Sequence, residues 1–153
     1  MDYSIDTSAL LDGWIRYYPP DTFDSLWQRL DELIIGGSLR ATEEVRFELE
    51  KKADDVLAWT LERDELFVEI DDDIQVMVSA ILQGSPKLLD TRANRSAADP
   101  FVIALAALND CPVVTGEQAT GSPQRPNIPD VCQQWNIECI NLLSLIRREG
   151  WRF

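Results

Sequence analysis

The sequence predicts an α/β fold, a three-layer α/β/α domain with a central parallel sheet that spans residues 1–153. Short strand-like segments alternate with helical segments, and strands separated by helices form βαβ units whose strands are parallel. One helical segment, Ala97 to Leu108, is almost wholly apolar, which is typical of a helix buried against a sheet. The length of 153 residues is that of one ordinary domain.

The N-terminal part of the chain contains one predicted strand and three helical segments. Residues 3–5 predict a short strand that runs into a helix, with Asp6 at the junction. The pair Pro19-Pro20 marks a turn, and apolar residues at three- and four-residue spacing then predict an amphipathic helix that ends at Gly36-Gly37. A further helix is predicted over residues 42–61, where two glutamates follow a threonine at its start.

The middle of the chain adds a strand, a helix and a loop. Residues 66–70 are strand-like, and the aspartates at 71–73 begin a helix whose apolar positions continue to Ile81. From Gly84 to Arg95 the periodic pattern stops, which predicts a loop that contains a small basic stretch.

The C-terminal part alternates between helices and strands around a polar loop. The apolar helix is followed by a buried strand at 113–115, and residues 118–127 form a loop rich in polar residues, Pro and Gly. The remaining predicted elements are a helix at 128–135, a strand at 137–140 and a helix at 142–148.

The charge balance excludes several classes of partner. Acidic residues number 27 against 14 basic ones, which gives a net charge of −13 at pH 7 and a sequence pI near 4.3. So acidic a chain repels phosphates and anionic lipids, which argues against a dedicated duplex-DNA binder or a protein of anionic membrane surfaces. The longest strongly apolar stretch, residues 101–108, is too short to span a bilayer, so we expect a cytoplasmic protein without membrane contact.

Histidine is absent, and cysteine occurs three times. Without histidine the chain cannot form a Ser-His-Asp or Cys-His nucleophile, a histidine metal site or an imidazole acid–base catalyst. Cys111, Cys132 and Cys139 include no CxxC pair, so we expect buried thiols in a reducing cytosol rather than disulfides or zinc ligands. Any catalysis therefore has to use carboxylates, hydroxyls, thiols or a bound metal.

Carboxylates recur where ligands of a parallel sheet bind, just outside the carboxyl ends of the strands. Asp6 follows the first strand, Glu117 follows the penultimate strand, and Asp99 begins the apolar helix. Glu44 and Glu48 lie one turn apart on one helix face. Taken singly, the two aspartates also fit helix N-caps, and the two helical glutamates also fit solvated surface acids.

Taken together, these acids predict a metal site. Carboxylates that converge at one sheet edge repel one another, and we expect no histidine or lysine nearby to neutralise them. Mg²⁺ and Mn²⁺ accept oxygen ligands and keep several waters for a phosphate-bearing substrate. One or two such ions activate water and stabilise the leaving oxygen of a phosphodiester, so the residues predict metal-assisted phosphodiester hydrolysis.

Four short motifs then occur in order along the chain. They are Ile5-Asp6-Thr7-Ser8-Ala9-Leu10, Glu44-Val45-Arg46-Phe47-Glu48-Leu49, Ala98-Asp99-Pro100-Phe101-Val102-Ile103-Ala104 and Val113-Val114-Thr115-Gly116-Glu117. With these motifs, and with Ile128-Pro129-Asp130-Val131-Cys132 and Ile140-Asn141-Leu142-Leu143 near its end, the chain resembles a PIN domain of a poorly characterised subfamily. PIN domains are the ribonuclease fold of bacterial VapC-like toxins, and the resemblance implies a PIN-like α/β/α domain.

The resemblance also implies the site. Asp6, Glu48, Asp99 and Glu117 would be its catalytic residues and its Mg²⁺ or Mn²⁺ ligands. Two positions depart from the family pattern, because Glu117 stands where aspartate is usual and Glu44 competes with Glu48 as the helical ligand. The number of metal ions, one or two, stays open.

Several further residues are candidates for binding the substrate. Thr7, Ser8 and Thr115 have polar side chains beside the predicted site and are expected to order metal-bound waters, with core or cap roles as the alternative. Arg92 and Arg95 lie in the loop before the apolar helix, where an arginine fork suits an RNA phosphate. The alternative for these arginines is a scatter of solubilising charges.

The predicted function is a metal-dependent endoribonuclease acting on RNA, and the resemblance implies the toxin of a toxin–antitoxin pair. Its expected partner is a neighbour-encoded antitoxin protein, and a homodimer is also considered. Trp14, Tyr17, Tyr18 and Trp27 are candidates for a groove that receives an antitoxin helix, although helical spacing equally fits Trp27 to the core. The alternative function is a non-catalytic PIN-like scaffold that binds protein partners.

Overall fold

The computed structural model describes residues 1–52, 54–89 and 97–153. Its strands are β1 (Tyr3–Ile5), β2 (Leu39–Thr42), β3 (Phe67–Val68), β4 (Val113–Val114) and β5 (Cys139–Ile140). Its α-helices are α1 (Thr7–Asp12), α2 (Pro20–Ile35), α3 (Glu43–Lys52), α4 (Asp54–Leu61), α5 (Asp72–Gly84), α6 (Asp99–Asn109), α7 (Ile128–Gln134) and α8 (Leu142–Arg148). A π-helical turn (Gly13–Tyr17) continues α1, and 3₁₀ turns cover Asp64–Leu66 and Pro86–Leu89.

The strands form one parallel sheet in the order β3-β2-β1-β4-β5, with helices on both faces. This confirms the predicted three-layer α/β/α fold with a central parallel sheet. Strand β1 lies in the middle, where Ser4 is opposite Arg40 of β2 and Val113 of β4. The chain first adds β2 and β3 on one side of β1 and then crosses to add β4 and β5 on the other. The order in which strands are added therefore reverses between β1 and β4. Such a topological switch point opens a crevice for ligands at the carboxyl ends of the strands.

Among the helices that the sequence predicted, α6 has the largest share of buried residues. Seven of its eleven residues are buried, and it packs against α5 and against β1, β2 and β4. The Ser4 hydroxyl of β1 donates to the Val102 carbonyl at 2.8 Å, which fixes the helix along the sheet. Full burial of one branched aliphatic side chain stabilises a fold by roughly 1.5–3 kcal/mol, so α6 is a major part of the core.

An aromatic cluster holds the π-helical turn against α2 and α4. The Trp14 and Trp27 rings are 4.7 Å apart, and the Trp27 and Trp59 rings are 5.1 Å apart. Trp27 is 3% exposed and donates its indole N–H to the Tyr18 carbonyl at 2.7 Å. Trp27 is therefore a core residue and not part of an open groove, whereas Tyr17 is 62% exposed.

Two elements differ from the sequence prediction. Strand β2 was not predicted, because Leu39-Arg40-Ala41-Thr42 is short, contains arginine and has little alternation. Its extended form depends on pairing with β1 and β3 on both sides. The helix predicted over 42–61 is two helices, α3 and α4, and residue 53 between them lies outside the described residues.

The other predicted helices and strands agree with the structure to within a few residues, whereas the predicted loop from Gly84 to Arg95 lies outside the described residues from position 90 onward. Asp71 caps α5 by accepting the Ile74 N–H at 2.8 Å, and Asn141 caps α8 by accepting the Ser144 N–H at 2.9 Å. No helix in the described ranges is both long and apolar enough to cross a membrane.

Candidate metal centre

The site is built around Asp6, the first residue after β1. Its backbone N–H donates to the Val114 carbonyl at 2.9 Å, so its position is set by the pairing of β1 with β4. Asp6 is 2% exposed, although it stands at the N-cap position of α1 and its side chain makes no capping bond. The simple N-cap role considered from the sequence is therefore wrong for this carboxylate.

Two hydroxyl groups hold the Asp6 carboxylate in place. Ser8 Oγ donates to Asp6 Oδ2 at 2.5 Å, and Thr115 Oγ1 donates to the same oxygen at 2.9 Å. Ser8 Oγ also accepts the Gly116 N–H at 2.9 Å, while Thr115 Oγ1 accepts the Glu117 N–H at 3.1 Å. Each hydroxyl thus donates its single proton to Asp6 and accepts a hydrogen bond from a backbone N–H after β4. Ser8 and Thr115 position the carboxylate across the switch point.

The pKa of Asp6 is raised above its ordinary value. Burial is the largest cause, the hydrogen bonds from Ser8 and Thr115 oppose it, and the negative charge of Glu48 raises it further. A carboxylate that is both buried and close to a second carboxylate is destabilised in its charged form. A cation bound between them would relieve both effects.

Glu48 reaches the site from α3, and the structure separates it from Glu44. Glu48 is 9% exposed, and its Oε1 accepts the backbone N–H of Ala98 at 3.1 Å. Glu44 is half-buried, and its pKa is raised by burial first and then by the charges of Glu43 and Glu48. Glu48 accepts a hydrogen bond from the residue that precedes α6, and its negative charge raises the pKa of Asp6.

Glu48 also has a cationic neighbour, which the sequence analysis did not expect. Lys52 Nζ lies 3.7 Å from Glu48 Oε2, one turn further along α3. The expectation that no lysine neutralises these acids is therefore wrong. Lys52 is half exposed, and an ion pair that faces solvent contributes about 0–1 kcal/mol. This cation therefore offsets only part of the repulsion between the buried carboxylates.

Asp99 lies at the same edge because of the direction of its helix. Helix α6 leads into β4 and therefore runs opposite to the strands, so its first turn lies at their carboxyl ends. Asp99 is 3% exposed and is the residue after Ala98, which Glu48 holds. The N-cap of α6 is Ala98, so Asp99 stands inside the first turn and is not the cap that the sequence suggested.

Glu117 is placed differently from the other three acids. Its Oε2 accepts the Ile128 N–H at 2.9 Å, which ties the residue after β4 to the first turn of α7. It still lies near the site, because its backbone N–H donates to Thr115 Oγ1, and that hydroxyl donates in turn to Asp6 Oδ2. Glu117 therefore closes the polar loop 118–127 beside the site.

Two buried hydroxyls at this edge have no hydrogen-bond partner among the residues that the structure describes. Thr7 follows Asp6 and is 2% exposed, and Thr42 ends β2 and is fully buried. The Oγ1 atoms of both residues are unpartnered. Hydroxyls that are buried without a partner at a ligand crevice are suited to an ordered water or a ligand oxygen. Thr42 was missed by sequence reasoning, which saw it only as a helix start.

Asp12 is a further acid that the sequence analysis missed. A Cβ added to Gly116 would lie 2.3 Å from Asp12 Oδ2, so this carboxylate rests directly against the backbone after β4. Arg16 lies 3.6 Å from Asp12 Oδ1 and is largely exposed. Nothing in the spacing of Asp12 marks it, because its place depends on how α1 packs beside β4. The predicted RNA contacts Arg92 and Arg95 lie outside the described residues.

The donor set suits a hard cation that keeps most of its waters. In the described ranges, no three His, Cys, Asp or Glu side chains are grouped to hold an ion by themselves. Mg²⁺ does not need such a cage, because it is commonly bound by one or two carboxylates together with waters and substrate phosphate. Asp6 and Glu48 fit that smaller requirement, and Thr7, the residue after Asp6, adds a buried hydroxyl that has no partner among the described residues.

A comparison with protein families finds a match over almost the whole chain. The family described as a domain of unknown function (DUF4411) matches residues 3–153. A comparison with curated proteins finds no match.

Proposed function

This chain belongs to the DUF4411 family, and we propose that it is an Mg²⁺- or Mn²⁺-dependent endoribonuclease that hydrolyses phosphodiester bonds of RNA. One observation carries the proposal. Asp6, Glu48 and Asp99 are buried carboxylates from three different elements, and all three lie at the carboxyl edge of a parallel sheet, next to its switch point. Burial of several like charges is costly unless a cation compensates for it.

Each residue has a role in this proposal. Asp6 and Glu48 would hold the ion, Asp99 would hold its waters, and Glu117 would stabilise the adjoining loop. Ser8 and Thr115 hold Asp6 in one orientation through the hydrogen bonds to its Oδ2, and Thr7 offers a hydroxyl oxygen to a water. The ion, when bound, supplies a Lewis acid for the phosphate and lowers the pKa of an attacking water.

The first experiment measures thermal unfolding with and without millimolar Mg²⁺ or Mn²⁺. A site that binds the ion only in the folded chain raises the melting temperature by mass action. Asp6→Asn and Asp99→Asn should each abolish this rise and the metal-dependent cleavage of single-stranded RNA. Asp110→Asn is the matched control, because Asp110 is exposed at the other end of α6 in a left-handed conformation that asparagine tolerates. Unaltered cleavage by Asp6→Asn would refute the proposal.

We further propose that the nuclease is the toxin of a toxin–antitoxin pair in the cytoplasm. The physical support is that a cluster of buried carboxylates attracts an arginine, which can bond to two oxygens at once. Expression of the chain alone should arrest growth, and co-expression of a neighbour-encoded antitoxin should restore it. Growth arrest by wild type and Asp6→Asn alike would contradict the toxin proposal.

A non-catalytic scaffold is the second candidate, and one observation favours it. Lys52 already pairs with Glu48, so part of the negative charge is compensated without an ion. For a scaffold we expect no rise in melting temperature with either ion and no cleavage of RNA. The same two measurements therefore separate the two functions.

A further inference from the structure

A cavity of about 250 Å³ lies beside the candidate metal centre. Its lining includes Asp12, Tyr17, Tyr18, Thr115, Asn141 and Leu142. Thr115 belongs to both places, because its side chain donates to Asp6 Oδ2 and it also lines the cavity. The Thr115 side chain therefore lies between a group that occupies the cavity and the buried Asp6 carboxylate.

The aromatic wall of the cavity comes from the π-helical turn Gly13–Tyr17. Such turns re-aim side chains within a helix and are frequent at functional sites. The Tyr18 ring is braced edge-on by Phe23, with centroids 5.4 Å apart, and its carbonyl is held by the Trp27 indole. Tyr17 is next to it and is 62% exposed. One tyrosine is thus fixed in the wall, and the other is open to a ligand.

The approach of α8 completes the cavity. A Cβ on Gly13 would lie 2.7 Å from Leu142 Cδ2, so the absence of a side chain at Gly13 lets the π-helical turn and α8 come together. Leu142 and Ala9 supply apolar surface, while Gln118 and Asn141 supply amide groups. A mixed surface of this kind suits a ligand with apolar faces and a polar edge, because the apolar groups bury the faces and the polar groups fix the orientation.

Asp12 supplies a negatively charged acceptor in the cavity wall. Its Oδ2 rests against Gly116, and Arg16 lies 3.6 Å from its Oδ1. A carboxylate has two oxygens that accept side by side, and it is matched by a ligand edge that carries two adjacent N–H donors. Among the RNA bases, guanine presents two adjacent donors on its Watson–Crick edge.

We propose that this cavity is a nucleobase subsite that binds one unpaired base of the RNA next to the scissile phosphate, with preference for guanine. The inference rests on the proposed nuclease function and gives it a substrate class, single-stranded RNA with a base free to leave the stack. Tyr17 stacks on the base and Asp12 accepts from its edge. The cavity is smaller than the roughly 300–1,000 Å³ of sites for drug-sized ligands, which suits a single base.

Binding is tested in EDTA, so that cleavage does not interfere. The probes are fluorescein-labelled oligouridine hexanucleotides that carry G, A, C or U at one central position. Fluorescence anisotropy measures their binding to the protein. The hexanucleotide with guanine should bind the wild-type chain at least fivefold more tightly than the all-uridine one. Tyr17→Ala should weaken its binding at least fivefold, since the base then loses the aromatic ring on which it stacks.

Ile15→Ala is the matched control for the loss of Tyr17. Ile15 belongs to the same π-helical turn and is also 62% exposed, but it is not among the residues that line the cavity. The Ile15→Ala variant should bind each probe as tightly as the wild-type chain does. Asp12→Asn should reduce the preference for guanine while binding of the all-uridine probe stays within twofold of wild type. Thermal unfolding of each variant shows whether the fold is retained.

The results separate this inference from the function on which it rests. Equal binding of all four probes, or no effect of Tyr17→Ala, overturns the subsite even if RNA is cleaved in Mn²⁺. Base-dependent binding that requires Tyr17 supports the subsite even if no cleavage occurs in Mn²⁺. In that case the nuclease proposal is contradicted and the subsite is not. Tyr17-dependent binding of N-acetylarginine amide without preference among the RNA probes would assign the cavity to a peptide and overturn the inference.

Discussion

Glu48 accepts a hydrogen bond from the backbone N–H of Ala98, and this contact joins α3 to the start of α6 across 50 residues of sequence. Asp99 is the residue after Ala98. The Glu48 side chain therefore contributes negative charge to the site and also holds the segment that carries Asp99. The contact also gives the buried Glu48 carboxylate a donor, because the carboxylate replaces water for a backbone N–H at a helix start.

The two glutamates of α3 give the first prediction. Glu48→Gln keeps an acceptor for the Ala98 N–H but removes the charge near Asp6, so it should abolish most of the Mg²⁺-induced rise in melting temperature. Glu44→Gln, one turn away on the same helix, should keep most of that rise. Differential scanning fluorimetry over a magnesium titration measures both. A larger loss in Glu44→Gln would show that Glu44 is the helical ligand.

The hydroxyl that binds Asp6 from β4 gives the second prediction. Thr115→Val keeps the shape of the side chain and removes the donor to a buried carboxylate, so it should lower the free energy of unfolding at pH 7 by about 1.5–3 kcal/mol. Urea denaturation measures the change. Thr22→Val is the matched control, because Thr22 donates to the Asp21 carboxylate at 3.0 Å on the exposed surface. That variant should lose less than about 0.5 kcal/mol, and similar losses in the two would contradict the role of Thr115.

Gly116 gives the third prediction. An alanine Cβ there would lie 2.3 Å from Asp12 Oδ2 and 3.3 Å from the Ser8 carbonyl, so Gly116→Ala must displace the Asp12 carboxylate. The backbone contact leaves a strain of about 1–3 kcal/mol, which urea denaturation would report. Gly84→Ala, where a Cβ meets no atom of the described residues within 4 Å, serves as the control. An unchanged stability of Gly116→Ala would show that the Asp12 side chain and the Ser8 carbonyl both move away without cost.

Tyr3 gives the fourth prediction, on alkaline stability. Its hydroxyl donates to Glu149 at 2.6 Å, and its pKa is raised from 10.0 by burial first, then by this hydrogen bond and the Glu149 charge. Above pH 10 the unfolded chain therefore releases this proton while the folded chain keeps it, and stability falls as pH rises.

Tyr3→Phe removes that dependence. At pH 7 the variant should be less stable by about 1 kcal/mol, because it loses one hydrogen bond to a carboxylate. Between pH 9 and pH 11 its stability should fall less steeply than that of wild type, so the two curves converge. Urea midpoints measured across this range give the comparison. Parallel curves would contradict a raised pKa for Tyr3.

Much of the fold could be predicted because its elements have local signals. The apolar run of α6, the buried strand β4 and the aspartates that begin α5 all depend on neighbouring residues. Strand β2 has no such signal, since it is extended only because β1 and β3 pair with it.

The sequence by itself determined the parallel sheet and the presence of acids after its strands, because periodicity and the residue type after a strand are local properties. Tertiary structure decided which acid does what. It placed Glu48 on the start of α6, turned Glu117 toward α7, set Lys52 beside Glu48 and brought Asp12 against Gly116. These contacts depend on the direction in which a side chain leaves its helix and on which distant backbone lies there, and neither is encoded in spacing along the chain.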